Sequence, residues 1–334
     1  MKAARLHGVK DIRVETAPDP TPDADQILLA TRAVTVCGSD LHYYLEGAIG
    51  SDRPNEPHIL GHEFAAEVME DGPLPKGTLV AVDPNRACGA CEWCAEGHPN
   101  LCPNVKFSGV PPYHGALAEY VVARPEEIVA VPESFTPTDA AMLEPLGVAL
   151  HALDLAHLRP LDSVGVVGCG PIGLLVLQVA GASGAGLRVV VDPIPERREL
   201  ALRLGAEHAF ASVDEAKDAL GPRGVDVVIE ATDAQRGPED AAKLTRIGGK
   251  LVLVGIPEGN RFSMDAALVR RKGLTIKMAR RMGHVYPRAI ELVERKLVTF
   301  EPLVTHRFSL DESPRAFELQ ASRADGVIKS SVEL

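Results

Sequence analysis

The chain has no basic run. Lysine and arginine number 35 against 46 aspartates and glutamates, a net charge of -11, which repels a phosphate backbone and argues against nucleic acid as a partner. The opening MKAARLHGVKDIRVE carries charge throughout and lacks the apolar core of an export signal, so a cytoplasmic location is expected. Cysteine is scarce as well. Six cysteines in a reducing compartment are not expected to pair, and four of them crowd into residues 88–102, which points to metal. Neither an internal repeat nor a low-complexity tract is present. What remains, 46% hydrophobic and 24% charged residues over 334 positions, is the composition of a globular protein long enough for two domains.

One stretch resists that description. In SVGVVGCGPIGLLVLQVAGASGAGLRVVVD, residues 163–192, no charge occurs between Asp162 and Arg188, and roughly 20 uncharged, mostly apolar residues are what a bilayer-crossing helix requires. The glycines decide between a membrane span and a nucleotide cradle. Gly168, Gly170 and Gly173 have G-x-G-x-x-G spacing, directly after an expected strand and before an expected helix, and Asp192 ends the next strand. Gly168 permits a tight turn, Gly170 lets the backbone approach a pyrophosphate, and Gly173 lets the helix pack on the strand. A bilayer has no use for this arrangement, and no membrane partner is expected. Asp192 would accept from both ribose hydroxyls and repel a 2′-phosphate, favouring NAD over NADP. Arg197 has two readings, a helper for a 2′-phosphate or a solvated helix position. Cys169 reads as a small buried filler.

The chain changes character near residue 147. Before it, QILLATRAVTV, FAAEVME, TLVAVDP and LAEYVVA alternate apolar and polar residues between Pro, Gly and Asp, the pattern of half-buried antiparallel strands. After it, apolar runs such as SVGVVG, LRVVVD, VDVVIEAT and KLVLVG alternate with amphipathic helices, which indicates a doubly wound parallel sheet. The expected division is a mostly-β domain over 1–146, a Rossmann domain over 147–286 and a return to the first domain over 287–334.

Cys88, Cys91, Cys94 and Cys102 follow C-x2-C-x2-C-x7-C spacing. Four thiolates on short loops make a closed tetrahedral zinc site with no place for substrate. An iron–sulfur cluster is the competing reading, although the Cys-Pro ending of ferredoxin runs is missing. A second set is scattered: Cys37 in VCGSDLHYY, His62 and Glu63 in LGHEF, and Glu144 in LEPLGV. A thiolate, an imidazole and carboxylates can hold a catalytic zinc with an open place for an oxygen ligand. Each residue alone has a plainer reading, His62 as a hydrogen-bonded core histidine and Glu144 as a helix terminus. Adjacent strand side chains point to opposite faces, so His62 and Glu63 both reach one ion only if the backbone turns there.

These motifs, together with YYLEGAIG and PLVTHRFSL, resemble the zinc-dependent medium-chain alcohol dehydrogenases, and within them the sorbitol and other polyol dehydrogenases. The resemblance implies a GroES-like catalytic domain joined to a Rossmann domain, and reversible oxidation of a secondary alcohol by hydride transfer to NAD. It implies Cys37, His62 and Glu63 as catalytic zinc ligands, with Glu144 holding water on the metal or exchanging onto it. Ser39 would relay the proton, and His42 is either the outer member of the relay or a surface histidine. Tyr43, Glu144 and Arg281 fall where the family contacts its polyol. Ile172, Asp192, Arg197, Val254, Gly255, Ile256, Ala279, Arg280 and Arg281 fall along its NAD path. A homo-oligomer, tetramer or dimer, is implied too. Met282 departs from the aromatic residue that often follows the substrate arginine, so the substrate pocket is expected to differ in shape. Threonine or simple alcohol dehydrogenases, and a non-catalytic NAD-binding relative, are the alternatives.

Overall fold

The computed structural model describes residues 1–55 and 57–334. It forms two compact units, Met1–Glu144 with Val304–Leu334, and Pro145–Leu303.

The first unit is organised around the strand Ile27–Thr35. This strand pairs antiparallel with Glu63–Val68, with Tyr120–Ala123 and with the C-terminal strand Lys329–Glu333. Its last residue, Thr35, lies opposite both Glu63 and Ser331, so three distant segments converge at one strand end. The alternation expected of half-buried strands is only partly realised. Ile27–Thr35 and Glu63–Val68 are buried along most of both faces, because small residues at Ala30, Ala33 and Ala65 let the helix Pro137–Ala141 cover the side that polarity alone assigns to solvent.

The second unit carries a six-stranded parallel sheet. Across the sheet its strands run His208–Phe210, Leu187–Val191, Ser163–Val167, Val225–Glu230, Thr245–Leu253 and Thr275–Met278; numbered in chain order this is the 3-2-1-4-5-6 arrangement of dinucleotide-binding folds. The long uncharged stretch resolves into a strand, the helix Pro171–Ala182 and a second strand. Its uniform apolarity follows from burial on both faces of a parallel sheet. Among the described residues no helix is long and apolar enough to cross a membrane.

The second domain boundary falls later than the expected residue 287. The helix Tyr286–Glu294 and the segment after it belong to the second unit, and the return starts at Val304. Gln178 fixes this: its Nε2 donates to the Thr299 carbonyl at 3.2 Å and its Oε1 accepts from the Thr299 N–H at 2.9 Å. Tyr286 and Ala289 of that helix are buried, and its Arg288 forms an ion pair with Asp154.

Candidate active site

The helix Gly38–Glu46 begins at Cys37, and the third residue into it, Asp40, accepts from the Cys37 backbone N–H at 3.1 Å. This is the reciprocal half of a helix-start capping motif, and it needs an acceptor at that position. Here the same carboxylate does more. Its Oδ1 lies 3.3 Å from His62 Nδ1 and accepts from the Gly61 N–H at 3.4 Å. His62 therefore presents Nε2 outward, with Ser39 Oγ 3.5 Å away. Gly61 supplies the turn that strand geometry demanded. Its φ of +94° is open to glycine, and a Cβ there would press on Val34. The strand proper starts only at Glu63, so His62 and Glu63 escape the alternation and face the same point.

The result is a donor set of half-buried Cys37 and buried His62 and Glu63. One ligand atom each from Cys37, His62 and Glu63 lies within 4.8 Å of the others. Burial opposes a charged His62, but Asp40 and Cys37 overcome it and hold its pKa well above the usual range. Glu144 sits in the first turn of the helix Leu143–Ala156, 5% exposed, and burial together with the neighbouring Glu63 pushes its carboxyl up to about 8, against the pull of His62 and Lys329. A thiol, an imidazole oriented by a carboxylate and an adjacent carboxylate fit a zinc ion in ligand type, with the oriented imidazole as its usual outer partner. Tyr43 lies in the core of this unit at 2% exposure, and His42 Nδ1 pairs with Glu46 Oε1 at 2.7 Å.

Three residues of this site were not read from the sequence: Asp40, Thr35 and Lys329. Thr35 donates to Glu63 Oε2, and Lys329, 2% exposed, forms an ion pair with the same oxygen. The capping spacing in CGSD was a usable signal for Asp40. For Lys329 the signal was faint, a single cation in the buried strand KSSVE.

The four cysteines of residues 88–102 bring their sulfurs within 4.8 Å of one another. Cys91 Sγ lies 3.4 Å from Cys94 Sγ and 3.8 Å from Cys102 Sγ, with Cys88 and Cys94 sulfurs 4.0 Å apart. A tetrahedral ion with Zn–S of about 2.3 Å places its sulfurs about 3.8 Å apart. The N–H groups of Ala90 and Cys91 hold the Cys88 thiol down at about 6.

In the second unit Gly168 takes φ +97°, and a Cβ on Gly173 would overlap the Gly168 carbonyl. In front of Gly170, the N-cap of Pro171–Ala182, a Cβ would find only Arg197 Nη1, at 3.9 Å. That open space at a helix N-terminus is what a pyrophosphate occupies. Arg197 thus faces the glycine turn. Asp192 is 3% exposed, one oxygen accepting from the Cys169 N–H at 2.7 Å and the other from the Ile194 N–H at 2.9 Å. Cys169 is fully buried and its thiol is pushed up by burial, as a filler should be. Ile172 lies in the first turn of the helix. Val254, Gly255 and Ile256 follow the end of Thr245–Leu253, where Gly255 admits no Cβ because the Thr232 carbonyl occupies that space. Ala279 donates to the Leu253 carbonyl at 2.8 Å, bringing Ala279, Arg280 and Arg281 to the same end of the sheet. Arg281 has φ +56°, and Met282 behind it is buried where a side chain on Gly147 would otherwise sit.

A Rossmann-type sheet and a GroES-like β unit with a cysteine–histidine–glutamate cluster define the class of a metal-dependent dehydrogenase. Residues 23–133 match the model of the alcohol dehydrogenase GroES-like domain, and residues 171–295 that of the zinc-binding dehydrogenases. The sorbitol dehydrogenase of Bacillus subtilis (strain 168) is 37% identical over 95% of this chain and 93% of its own length. Two solved structures cover all of this chain and 99% of their own. One is a putative zinc-binding dehydrogenase from Sinorhizobium meliloti 1021 bound to NADP, 30% identical with a TM-score of 0.89. The other, from E. coli CFT073, is described as a short chain alcohol dehydrogenase complexed with NADH, 27% identical with a TM-score of 0.90. The chain belongs to the zinc-binding dehydrogenases with a GroES-like alcohol dehydrogenase domain.

Proposed function

We propose that this enzyme oxidises a secondary hydroxyl of a polyol of the sorbitol or xylitol type to the ketose, passing the hydride to NAD. The observation that carries the proposal is the cluster of half-buried Cys37 with buried His62 and Glu63, with Glu144 beside it. A binding module has no need of such a set, and the four cysteines would already provide a closed structural site. Zinc held there would acidify the substrate hydroxyl, and the nicotinamide would accept the hydride.

The chain's own residues supply the rest. Cys37, His62 and Glu63 would hold the metal, and Asp40, on Nδ1, keeps the His62 ring turned so that Nε2 is the nitrogen left to do so. Ser39 Oγ, beside that nitrogen, accepts the substrate hydroxyl's proton as it releases its own toward His42, from which a proton leaves to solvent. Tyr43, Glu144 and Arg281 hold the neighbouring hydroxyls, which a simple alcohol lacks. The glycine turn and the N-terminus of Pro171–Ala182 bind the pyrophosphate, and Asp192 binds the adenosine ribose with Arg197 beside it. The relative named for sorbitol supports the substrate class. Asp192 supports NAD, since the second lone pair of each oxygen can still accept from the ribose while a 2′-phosphate meets like charge. We place the enzyme in the cytoplasm as a dimer or tetramer. The test is a panel of sorbitol, xylitol, ribitol, threonine, glucose and ethanol, each with NAD and with NADP; highest turnover on threonine or ethanol would replace the polyol reading.

A further inference from the structure

A buried cation beside a proposed metal centre needs explaining. Lys329 is 2% exposed, and no solvent compensates its charge. A lone buried ammonium is costly enough that such groups are retained only when paired. Its partner is Glu63, which is also a proposed zinc ligand.

The β-ladder explains how it gets there. Ser331 pairs with Thr35, and the Val36 N–H donates to the Ser330 carbonyl at 3.0 Å, so Lys329 lies alongside the chain just where Val36 leads into Cys37. Lys329 and Thr35 bind the same carboxylate oxygen of Glu63, Oε2. The other oxygen, Oε1, is thereby the one left to turn toward Cys37 and His62.

We propose that Lys329 is a positioning residue that confines Glu63 to a single-oxygen contact with the metal and tempers the hold of the site on its ion. The charges support this role. A doubly charged zinc and the Lys329 ammonium balance the Cys37 thiolate and the carboxylates of Glu63 and Asp40, whereas without Lys329 the site carries an uncompensated negative charge. The last strand of the chain is on this view part of the metal centre. The inference rests on the ligand set proposed above.

The test uses the whole protein, with zinc at the Cys37 site replaced by cobalt(II) and zinc loss followed in excess chelator. In Lys329→Met, Glu63 is free to bind through both oxygens and no cation repels the metal. Zinc then leaves the Cys37 site about tenfold more slowly, the scale of outer-partner effects on metal sites, and the cobalt absorption weakens as coordination rises above four. In Lys329→Arg the guanidinium fork takes both carboxylate oxygens, and zinc leaves faster than from the parent. The Arg variant keeps the charge and decides the matter if the Met variant does not fold. Parent-like release rates and cobalt spectra in the folded variants would overturn the proposal and leave Lys329 a core filler. A parent enzyme with metal only at the four cysteines would instead sink the ligand set itself, independently of Lys329.

Discussion

The Asp40 carboxylate stands 3.3 Å from Nδ1 of His62 while accepting the Cys37 N–H at 3.1 Å, so a single side chain fixes two proposed ligands that lie 25 residues apart in sequence. Outer partners of this kind set ring orientation and ligand basicity, and losing one typically costs about 10–100-fold in metal affinity or activity. Asp40→Asn is expected to lower kcat and to speed zinc loss from the Cys37 site, with the four-cysteine zinc unaffected. Turnover and site-resolved metal content check this, and a variant with parental values in both would mean that His62 is held by packing alone.

The two metal groups should separate cleanly on mutation. Cys37→Ser is expected to abolish turnover and leave the fold and the cysteine-lobe zinc in place. Cys91→Ser is expected to lower thermal stability, because a structural zinc contributes folding free energy. Metal analysis and melting curves of both variants provide the comparison; an active Cys37→Ser enzyme would contradict the assignment of the catalytic site.

The cofactor prediction turns on Asp192. A 2′-phosphate brought against this buried carboxylate meets like charge and removes a ribose hydroxyl partner, worth on the order of 2–3 kcal/mol in favour of NAD. Arg197, facing the glycine turn, works in the opposite sense. The expected outcome is a kcat/KM for NAD well above that for NADP, narrowed in Asp192→Asn. Equal efficiencies in the parent enzyme would show that Arg197 prevails.

His58 offers a pH test away from the chemistry. Burial and the adjacent His114 lower its pKa from 6.5 to about 4, while the Gly109 carbonyl and Asp40 pull the other way and Arg5 adds to the depression. The unfolded chain therefore binds more protons in this range. The stabilisation is complete above about 6.5 and is lost as pH falls toward about 4. Melting temperature should fall over that window in the parent and less steeply in His58→Gln at equal zinc content. Identical slopes would remove His58 as a contributor.

Much of this architecture was legible because its signals are local. Gly168, Gly170 and Gly173 fall within one turn, and the four cysteines within one short lobe, so spacing in sequence is nearly spacing in space. The residues that escaped notice act over distance. Lys329 reaches the metal cluster only through the pairing of the last strand with Ile27–Thr35, and no spacing rule records that. The shared facing of His62 and Glu63 depended on the positive φ of Gly61, which strand alternation could not supply. The late boundary at Val304 follows from a single glutamine bonding Thr299 from both sides.

Substrate choice tests the central claim most directly. Tyr43, Glu144 and Arg281 are assigned to hydroxyls that simple alcohols lack, and leaving such groups unpaired costs roughly 1–3 kcal/mol each. The decisive measurement is kcat/KM with NAD for sorbitol and xylitol against ethanol and 2-propanol, in the parent and in Arg281→Ala. The account predicts that the polyols lead by orders of magnitude and that Arg281→Ala removes most of that lead while changing simple-alcohol activity little. Simple alcohols equal to the polyols in the parent enzyme would contradict it.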